Sequence, residues 1–196
     1  VEAAKRALAL VNRGVAQGRL GETDKEIEDY GAVVAMPDAP AEQRAKALVN
    51  RGVAWRRLGE TGNAIEDYDA VIAMADAPDT RRAGALNNRG WIRYTEGDYA
   101  AFETDVRAAM DTDPALSGAQ FNYGLALLAL NRDAEALEAY GRAASETPDG
   151  IDEVIEDLHV ARASWLSEER AKPVLALLEK IRGLGAGGTA EGPEGS

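Results

Sequence analysis

Apolar residues recur along this chain at the spacing of an α-helix, in pairs of segments that a short turn separates. In residues 45–78 the first stripe contains Leu48, Trp55 and Leu58, and the second contains Ala64, Ile65, Tyr68, Val71 and Ile72. Apolar residues three or four positions apart lie on one face of a helix, whereas a strand would alternate every second residue. Gly59 lies between the stripes, where a left-handed residue commonly ends a helix. The pattern predicts a helix–turn–helix unit.

This unit occurs four times. Residues 7–40 read ALALVNRGVAQGRLGETDKEIEDYGAVVAMPDAP, and residues 45–78 read AKALVNRGVAWRRLGETGNAIEDYDAVIAMADAP. A third copy begins at Ala85 and a fourth at Ala119. The copies share an Asn-x-Gly sequence at Asn12-Gly14, Asn50-Gly52, Asn88-Gly90 and Asn122-Gly124, with spacings of 38, 38 and 34 residues. Because one such helix pair cannot bury its apolar face alone, neighbouring pairs are expected to stack.

The repeated residues resemble the tetratricopeptide repeat family, in a bacterial-type form with extended 38-residue repeats. The small residue of the first helix, helix A, is Gly14, Gly52, Gly90 and Gly124, and the aromatic residue of the second helix, helix B, is Tyr30, Tyr68 and Tyr140. Helix B carries the family's small residue as Ala64 and Ala136, but Glu26, Phe102 and Val106 depart from the pattern. The resemblance implies an all-α, right-handed α-α superhelix of four helix pairs, closed by a C-terminal capping pair.

We expect repeats at about residues 4–40, 41–78, 79–114 and 115–148. The four additional residues of the longer repeats are expected at Pro40–Gln43 and Pro78–Arg81, where they would lengthen helix A. Residues 149–182 are expected to form the capping helices, with Pro173 in the first turn of the second one. Residues 183–196 are rich in glycine and poor in apolar residues, so we expect a disordered tail.

The composition argues against several classes of function. The chain has no Cys, a single His and a formal net charge of −12, so we expect no cofactor, no metal and no nucleic-acid partner. It contains no apolar stretch long enough to cross a membrane, and no signal-peptide pattern follows Val1, so we expect a cytoplasmic protein. The first residue is not Met, which leaves the position of the natural N-terminus open. Adjacent carboxylates such as Glu66-Asp67 have no His or Cys beside them, and we expect no enzyme activity.

Charge is divided between the two helices of a repeat. Residues 41–58 carry five cationic side chains and one carboxylate, whereas residues 60–76 carry five carboxylates and no cation. Since A helices line the concave face of tetratricopeptide arrays, the resemblance implies a groove that is less acidic than the molecule and favours an acidic or neutral ligand. The alternative is that the opposite charges neutralise one another between adjacent helices.

One set of charges is expected to pair. Arg13, Arg51 and Arg89 each precede an aspartate by sixteen residues, and both members are replaced together in the fourth copy, by Tyr123 and Ala139. Their joint loss predicts an ion pair between helix A and helix B. The aspartates are Asp29, Asp67 and Asp105.

The four equivalent asparagines are candidates for contact with a ligand, because an amide can both donate to and accept from a peptide backbone. They resemble the asparagine ladder of some peptide-binding tetratricopeptide proteins, and the alternative is a packing role. The full set of candidate peptide-binding residues is Asn12, Asn50, Asn88, Asn122, Arg56, Arg57, Trp91, Tyr94 and Phe121. Val11 and Val15 stand where a carboxylate clamp would need Lys and Asn, which disfavours a receptor for chaperone tails.

The most specific function that the sequence supports is a protein–protein interaction scaffold that binds a peptide segment of a partner in its concave groove. Two alternatives remain: a sensor or targeting module of a longer enzyme or regulator, and a self-assembling solenoid.

Overall fold

The computed structural model describes residues 1–187, and every regular element in that range is helical. The ten α-helices of this range are α1 (Glu2–Arg19), α2 (Thr23–Val34), α3 (Ala41–Arg57), α4 (Thr61–Ala73), α5 (Asp79–Thr95), α6 (Tyr99–Thr112), α7 (Ser117–Ala129), α8 (Asp133–Glu146), α9 (Ile151–Arg162) and α10 (Glu168–Gly187). One 3₁₀ turn, Pro148–Gly150, precedes α9. The prediction of an all-α protein built from helix pairs is confirmed.

The chain divides into two compact units, Val1–Leu116 and Ser117–Ser196. In the first unit, α1 packs on α2, α3 on α4 and α5 on α6, and the pairs are joined through the contacts of α2 with α3 and of α4 with α5. The A helices also touch in series, α1 with α3 and α3 with α5. In the second unit, α7 packs on α8, and α10 packs on both α8 and α9.

The turn within each pair depends on a residue with positive φ. Gly21, Gly59 and Gly97 have φ of 76°, 80° and 83°, and Asn131 takes the equivalent place in the fourth repeat with φ of 60°. At the end of α3, the Glu60 amide donates to the Trp55 carbonyl at 3.0 Å and the Gly59 amide donates to the Arg56 carbonyl at 3.0 Å. These two hydrogen bonds form the Schellman motif, which satisfies the last carbonyls of a helix. The predicted left-handed role of Gly59 is confirmed.

The longer repeats have longer A helices. α3 and α5 contain 17 residues each, whereas α7 contains 13. Pro40 and Pro78 immediately precede α3 and α5. Arg44 and Arg82, at equivalent positions, donate to carbonyls of the connection that leads into their helix: Arg44 to those of Met36, Pro37 and Ala39, and Arg82 to those of Met74 and Ala77. Each arginine thereby holds the first turn of its longer A helix against the end of the preceding repeat.

The C-terminal region differs from the prediction in two ways. Pro173 lies inside α10, since the helix begins at Glu168. Glu168 and Glu169 favour an earlier start because carboxylates stabilise a helix N-terminus, and burial of Ala171 fixes this first turn in the core. Residues 183–187 are helical, so this part of the predicted disordered tail is corrected; each residue added to an existing helix gains a hydrogen bond. Residues 188–196 of that tail lie outside the described residues.

Within a repeat, helix A and helix B approach each other through a glycine and a tyrosine. A Cβ atom on Gly52 would lie 2.6 Å from Cε1 of Tyr68, and the same contact recurs between Gly14 and Tyr30. These tyrosines are 0% and 1% exposed. In the third repeat, which has Val106 in place of the tyrosine, the ring of Phe102 lies against Gly90. Helix A therefore requires a glycine at this position, because the aromatic ring of helix B leaves no space for a side chain.

We expect Gly52→Ala to lower the free energy of unfolding by about 1–3 kcal/mol, because the added methyl group has to displace the Tyr68 ring. This loss should exceed the gain of up to about 1 kcal/mol that alanine gives within a helix. Gly84→Ala in α5 is the matched control, since a Cβ there meets nothing within 4 Å. Urea unfolding should show Gly84→Ala to be neutral or stabilising. Equal effects of the two changes would contradict the role of the Gly52–Tyr68 contact.

Candidate functional site

The candidate site lies on the A helices of the first unit. Asn12, Asn50 and Asn88 occupy equivalent positions on α1, α3 and α5, and these helices pack side by side. The row crosses the unit from one repeat to the next. We call this surface the A-helix face and define it by Asn12, Asn50, Asn88, Arg56, Arg57, Trp91 and Tyr94. Asn122 and Phe121 lie on α7, in the second unit.

The asparagines of the A-helix face differ in what they contact. Asn12 is exposed, whereas Asn50 and Asn88 are half-buried. The Asn50 side chain donates from Nδ2 to the Tyr30 hydroxyl at 3.4 Å, which is long for a hydrogen bond. Asn88 makes no side-chain hydrogen bond with any of residues 1–187. Asn50 thus has a packing contact with the preceding repeat, while the Asn88 amide keeps its hydrogen-bonding capacity. Asn122 is half-buried within its own unit.

Three of the five cations of α3 are engaged inside the protein. Arg51 pairs with Asp67, Arg57 pairs with Glu26 of the preceding repeat, and Arg44 binds loop carbonyls. Lys46 and Arg56 form no ion pair with any side chain in the described part of the chain. Lys46 and Arg56 therefore keep their charges without a carboxylate partner in residues 1–187, whereas Arg57 joins two repeats.

Aromatic rings cluster at the end of α5. The ring centroids of Trp91 and Tyr94 are 5.1 Å apart, and Tyr94 lies 5.2 Å from Phe102 and 5.9 Å from Tyr99. Trp91 and Tyr94 are both half-buried. Trp91 is consequently held in place on one side by Tyr94, and part of its surface remains exposed.

Phe121 does not belong to an exposed site. Its side chain is only 5% exposed, and a Cβ atom on Gly150 would lie 2.9 Å from its ring. The ring packs against the 3₁₀ turn that follows α8, so it is part of the core of the second unit. The expectation that Phe121 anchors a ligand is corrected: apolar residues of α7 face the core on more than one side of the helix, and the sequence pattern did not distinguish these sides.

A buried carboxylate explains one departure from the family pattern. Glu26 is 6% exposed, its carboxylate lies against the backbone of Gly18, and the Tyr30 hydroxyl lies 3.5 Å from its Oε1. In the second repeat the equivalent residues are Arg56 and Ala64, so the large side chain comes from helix A and the small one from helix B. This exchange of size between the two positions is visible in the sequence.

The three predicted ion pairs between helix A and helix B are confirmed. Arg51 donates to Asp67 through Nε at 2.9 Å and Nη2 at 2.6 Å, and Arg89 donates to Asp105 with the same two distances. Arg13 and Asp29 pair in the same two-pronged manner. The hydrogen bond to the aspartate raises the pKa of Arg13, Arg51 and Arg89. These arginines are occupied by structural partners and are not candidates for ligand contact.

Two buried tyrosines titrate far from their ordinary range. Burial raises the pKa of Tyr30 to about 12, and the Glu26 charge acts in the same direction, while the hydrogen bond from Asn50 opposes the shift. Burial also raises the pKa of Tyr68 to about 12, against the opposing effect of the nearby Arg56 guanidinium. The Tyr68 hydroxyl is buried and meets no group of the described chain in hydrogen-bond geometry. Tyr68 therefore packs as an aromatic ring whose polar end adds no stability.

Comparison with known proteins supports a helical-repeat fold. Residues 119–150 match the sequence model of the tetratricopeptide repeat family. No curated protein sequence matches the chain. Among solved structures, PilF of Pseudomonas aeruginosa superposes with a TM-score of 0.67 at 20% identity, covering 92% of this chain and 78% of PilF. MamA from Desulfovibrio magneticus RS-1 gives a TM-score of 0.64 at 17% identity, covering 94% of this chain and 98% of MamA.

A third similar structure is the first tetratricopeptide domain of Spaghetti (RPAP3), which was solved with an HSP90 peptide of sequence SRMEEVD. It gives a TM-score of 0.55 at 20% identity and covers 65% of this chain and 95% of that domain. The fold and the matched repeat define a helical-repeat protein that packs its helices in pairs. The chain contains a tetratricopeptide repeat at residues 119–150 and has the fold of the tetratricopeptide structures that it resembles.

Residues 1–187 contain neither a membrane-spanning helix nor a cluster of three or more metal ligands. No helix in this range is both long and apolar enough to cross a membrane. No group of three or more His, Cys, Asp or Glu side chains in the same range could hold a metal ion.

Double-mutant cycles should show that Arg51 and Asp67 are coupled. We expect a coupling free energy of about 1–3 kcal/mol, because the aspartate is 7% exposed and accepts two hydrogen bonds from one guanidinium. The control is the exposed pair of Lys25 and Glu22, three residues apart, for which about 0.2–0.5 kcal/mol is expected. Strictly additive effects of Arg51→Ala and Asp67→Ala on unfolding would mean that the pair contributes nothing as a unit.

The tyrosines should also make stability depend on alkaline pH. A phenol with an ordinary pKa of about 10 in the unfolded chain and about 12 in the folded one favours folding below pH 10. This contribution should be lost as the pH rises from about 10 to about 12. The Tyr30→Phe, Tyr68→Phe double variant should lose stability less steeply over this interval in urea unfolding. Tyrosinate absorbance that rises in full near pH 10 in the folded protein would show that the rings are not protected.

Proposed function

We propose that this chain is a protein–protein interaction scaffold that binds an extended peptide segment of a partner protein along the A-helix face of its first unit. The observation that carries the proposal is the row of asparagines at one equivalent position on α1, α3 and α5. It is supported by the half-buried Trp91 and by two cations, Lys46 and Arg56, that form no ion pair within residues 1–187.

The asparagine row suits the backbone of the ligand. Packed helices lie about 8–10 Å apart, and an extended chain advances about 3.3 Å per residue, so each A helix would meet about every third residue of the peptide. Asn88 can donate and accept one hydrogen bond each with a peptide group, and its amide is not used by the protein. Recognition of the backbone gives affinity for an extended chain without reading its sequence.

Side-chain preference would come from the flanking residues. Trp91 is held by Tyr94 and exposes an apolar surface, so it suits an apolar or aromatic side chain of the peptide. Lys46 and Arg56 favour an acidic or neutral peptide. The domain of Spaghetti (RPAP3) that resembles this chain was solved with a peptide containing two Glu and one Asp, which supports the same preference.

Recognition of a terminal carboxylate is not part of the proposal. Val11 is 0% exposed and packs in the core of the first repeat, and Val15 packs against the same core. Neither residue can serve as a clamp for a carboxylate.

Substitutions on the A-helix face should weaken binding without unfolding the protein. Asn88→Ala removes a donor and an acceptor for the peptide backbone, and we expect a loss of about 1–2 kcal/mol in binding. Trp91→Ala should cost about 2 kcal/mol or more. The peptide would be mapped from a partner captured by affinity purification, synthesised, and titrated calorimetrically. Asn63→Ala on α4 is the control, because Asn63 is an exposed asparagine of a B helix.

Charge makes a separate contribution that salt should reveal. Arg56→Ala should weaken the same peptide and reduce the salt dependence of its affinity, because screening acts on exposed charges. Arg142→Ala on α8 provides an exposed guanidinium in the second unit for comparison. Circular dichroism and melting curves accompany each variant. If Asn88→Ala and Trp91→Ala bind the peptide as the parent chain does, the ligand lies elsewhere.

A further inference from the structure

The first helix, α1, carries the residues that later A helices use to bind the preceding B helix, although no B helix precedes it among the described residues. Within the first unit, α3 packs on α2 and α5 packs on α4. Each residue of α1 has equivalents 38 and 76 positions further along, on α3 and α5. Those equivalents make the contacts with the preceding B helix. We call the relevant surface the α1 outer face and define it by Arg6, Ala9, Asn12, Arg13, Ala16 and Arg19.

Burial distinguishes the three helices although the residues are nearly the same. Ala9 and Ala16 are exposed, whereas Ala47 and Ala54 of α3 are 0% exposed. In α5 the equivalent residues, Ala85 and Ile92, are 0% and 1% exposed. The side chain of Arg13 is 63% exposed, compared with 23% for Arg51 and 17% for Arg89. The α1 outer face therefore has the small residues of an inter-repeat contact, and no helix of residues 1–187 covers it.

The polar contacts between α3 and α2 indicate which side chains a helix would need in order to bind the α1 outer face. Arg57 pairs with the buried carboxylate of Glu26, and Asn50 donates to the hydroxyl of Tyr30, four residues later on α2. The equivalents of Arg57 and Asn50 on α1 are Arg19 and Asn12. Arg19 forms no ion pair with any residue of the described range. A helix with a glutamate and, four residues later, a tyrosine would satisfy both side chains.

Two further positions add to this specification. Arg44 and Arg82 bind the carbonyls that follow α2 and α4, and Arg6 is their equivalent on α1. Arg89 pairs with Asp69, the residue directly after Tyr68, and Arg13 is the equivalent of Arg89. The α1 outer face thus presents Arg6 and Arg19 to a helix that carries acidic groups and ends beside Arg6, while Arg13 between them stays paired with Asp29.

We propose that the α1 outer face binds an amphipathic helix of a partner protein, with a Glu-x-x-x-Tyr sequence flanked by apolar residues and with its C-terminal end at Arg6. The apolar residues pack on Ala9 and Ala16, the carboxylate pairs with Arg19, and the tyrosine hydroxyl meets Asn12. The contact continues the interface that α2 makes with α3, one repeat earlier. It shares Asn12 with the A-helix face proposed above, but it takes a helix and not an extended peptide.

The test uses a probe that the chain itself supplies. A synthetic peptide of residues 22–36, ETDKEIEDYGAVVAM, contains α2 with Glu26 and Tyr30 in place. Because a free helix of this length is marginal in water, the peptide would carry Glu28→Lys, and a lactam between this new amine and the carboxyl group of Asp24 would hold it helical; both positions are exposed on α2. The peptide would be titrated into the full chain by calorimetry and by fluorescence anisotropy.

We expect saturable binding to one site. Arg19→Ala in the protein and Glu26→Ala in the peptide should each weaken binding about tenfold or more, because each breaks a charge-assisted hydrogen bond. Combined, the two changes should weaken it no further than either alone. Arg142→Ala should leave the affinity unchanged. Since Arg19 is exposed, its replacement should not alter the melting temperature of the free protein.

Three results would overturn the proposal. The first is the absence of saturable binding by the bridged peptide. The second is binding that Trp91→Ala abolishes and Arg19→Ala does not, which would place the peptide in the groove. The third is a dimer in sedimentation velocity that Arg19→Ala dissociates, which would assign the α1 outer face to a second copy of the chain. The groove proposal is tested separately by Asn88→Ala, so the two proposals can fail independently.

Discussion

The close approach of a glycine on helix A to an aromatic ring on helix B is the constraint on which the repeats depend. Tyr68 fills the space beneath Gly52 and is fully buried there. Removal of a buried aromatic ring of this size typically costs about 3–5 kcal/mol, so a few such contacts account for much of the stability of a small helical unit. The ring also sets the distance between the two helices, and this distance allows Arg51 to reach Asp67 with both prongs of its guanidinium. Where the tyrosine is absent, Phe102 supplies the ring from one turn earlier on helix B.

The same geometry determines which charges remain available for binding. A carboxylate buried between helices is stable only with a partner, and the arginines of the A helices provide that partner. Asp67, Asp105 and Glu26 each hold a guanidinium that would otherwise face solvent. The separation of charge between helix A and helix B is therefore largely structural. Lys46 and Arg56 are left on α3 without an ion pair in residues 1–187, so only these two cations of α3 support the proposed preference for an acidic or neutral ligand.

Repetition extends this logic to the surfaces of the first unit. Each A helix carries one set of residues for its own B helix and a second set for the B helix of the preceding repeat. In α3 and α5 both sets are used, whereas in α1 the second set faces solvent. Asn12 belongs to this exposed set and also to the asparagine row. A single position can thus serve packing in one repeat and ligand contact in another, because exposure depends on the neighbouring repeat and not on the residue type.

The sequence by itself determined the helices, the turns and the contacts within a repeat. Helical spacing of apolar residues requires no tertiary information, Gly59 follows from the conformation that ends a helix, and the pairing of Arg51 with Asp67 follows from the joint loss of both residues in the fourth copy. The tertiary structure decided the contacts between segments that differ from repeat to repeat. Arg57 pairs with Glu26, 31 residues earlier and in another repeat, and only two repeats carry an arginine at this position. Phe121 is buried by a 3₁₀ turn that has no counterpart in the other repeats. A repeated pattern specifies what every repeat shares, whereas burial and charge at a given residue depend on the particular neighbour that covers it.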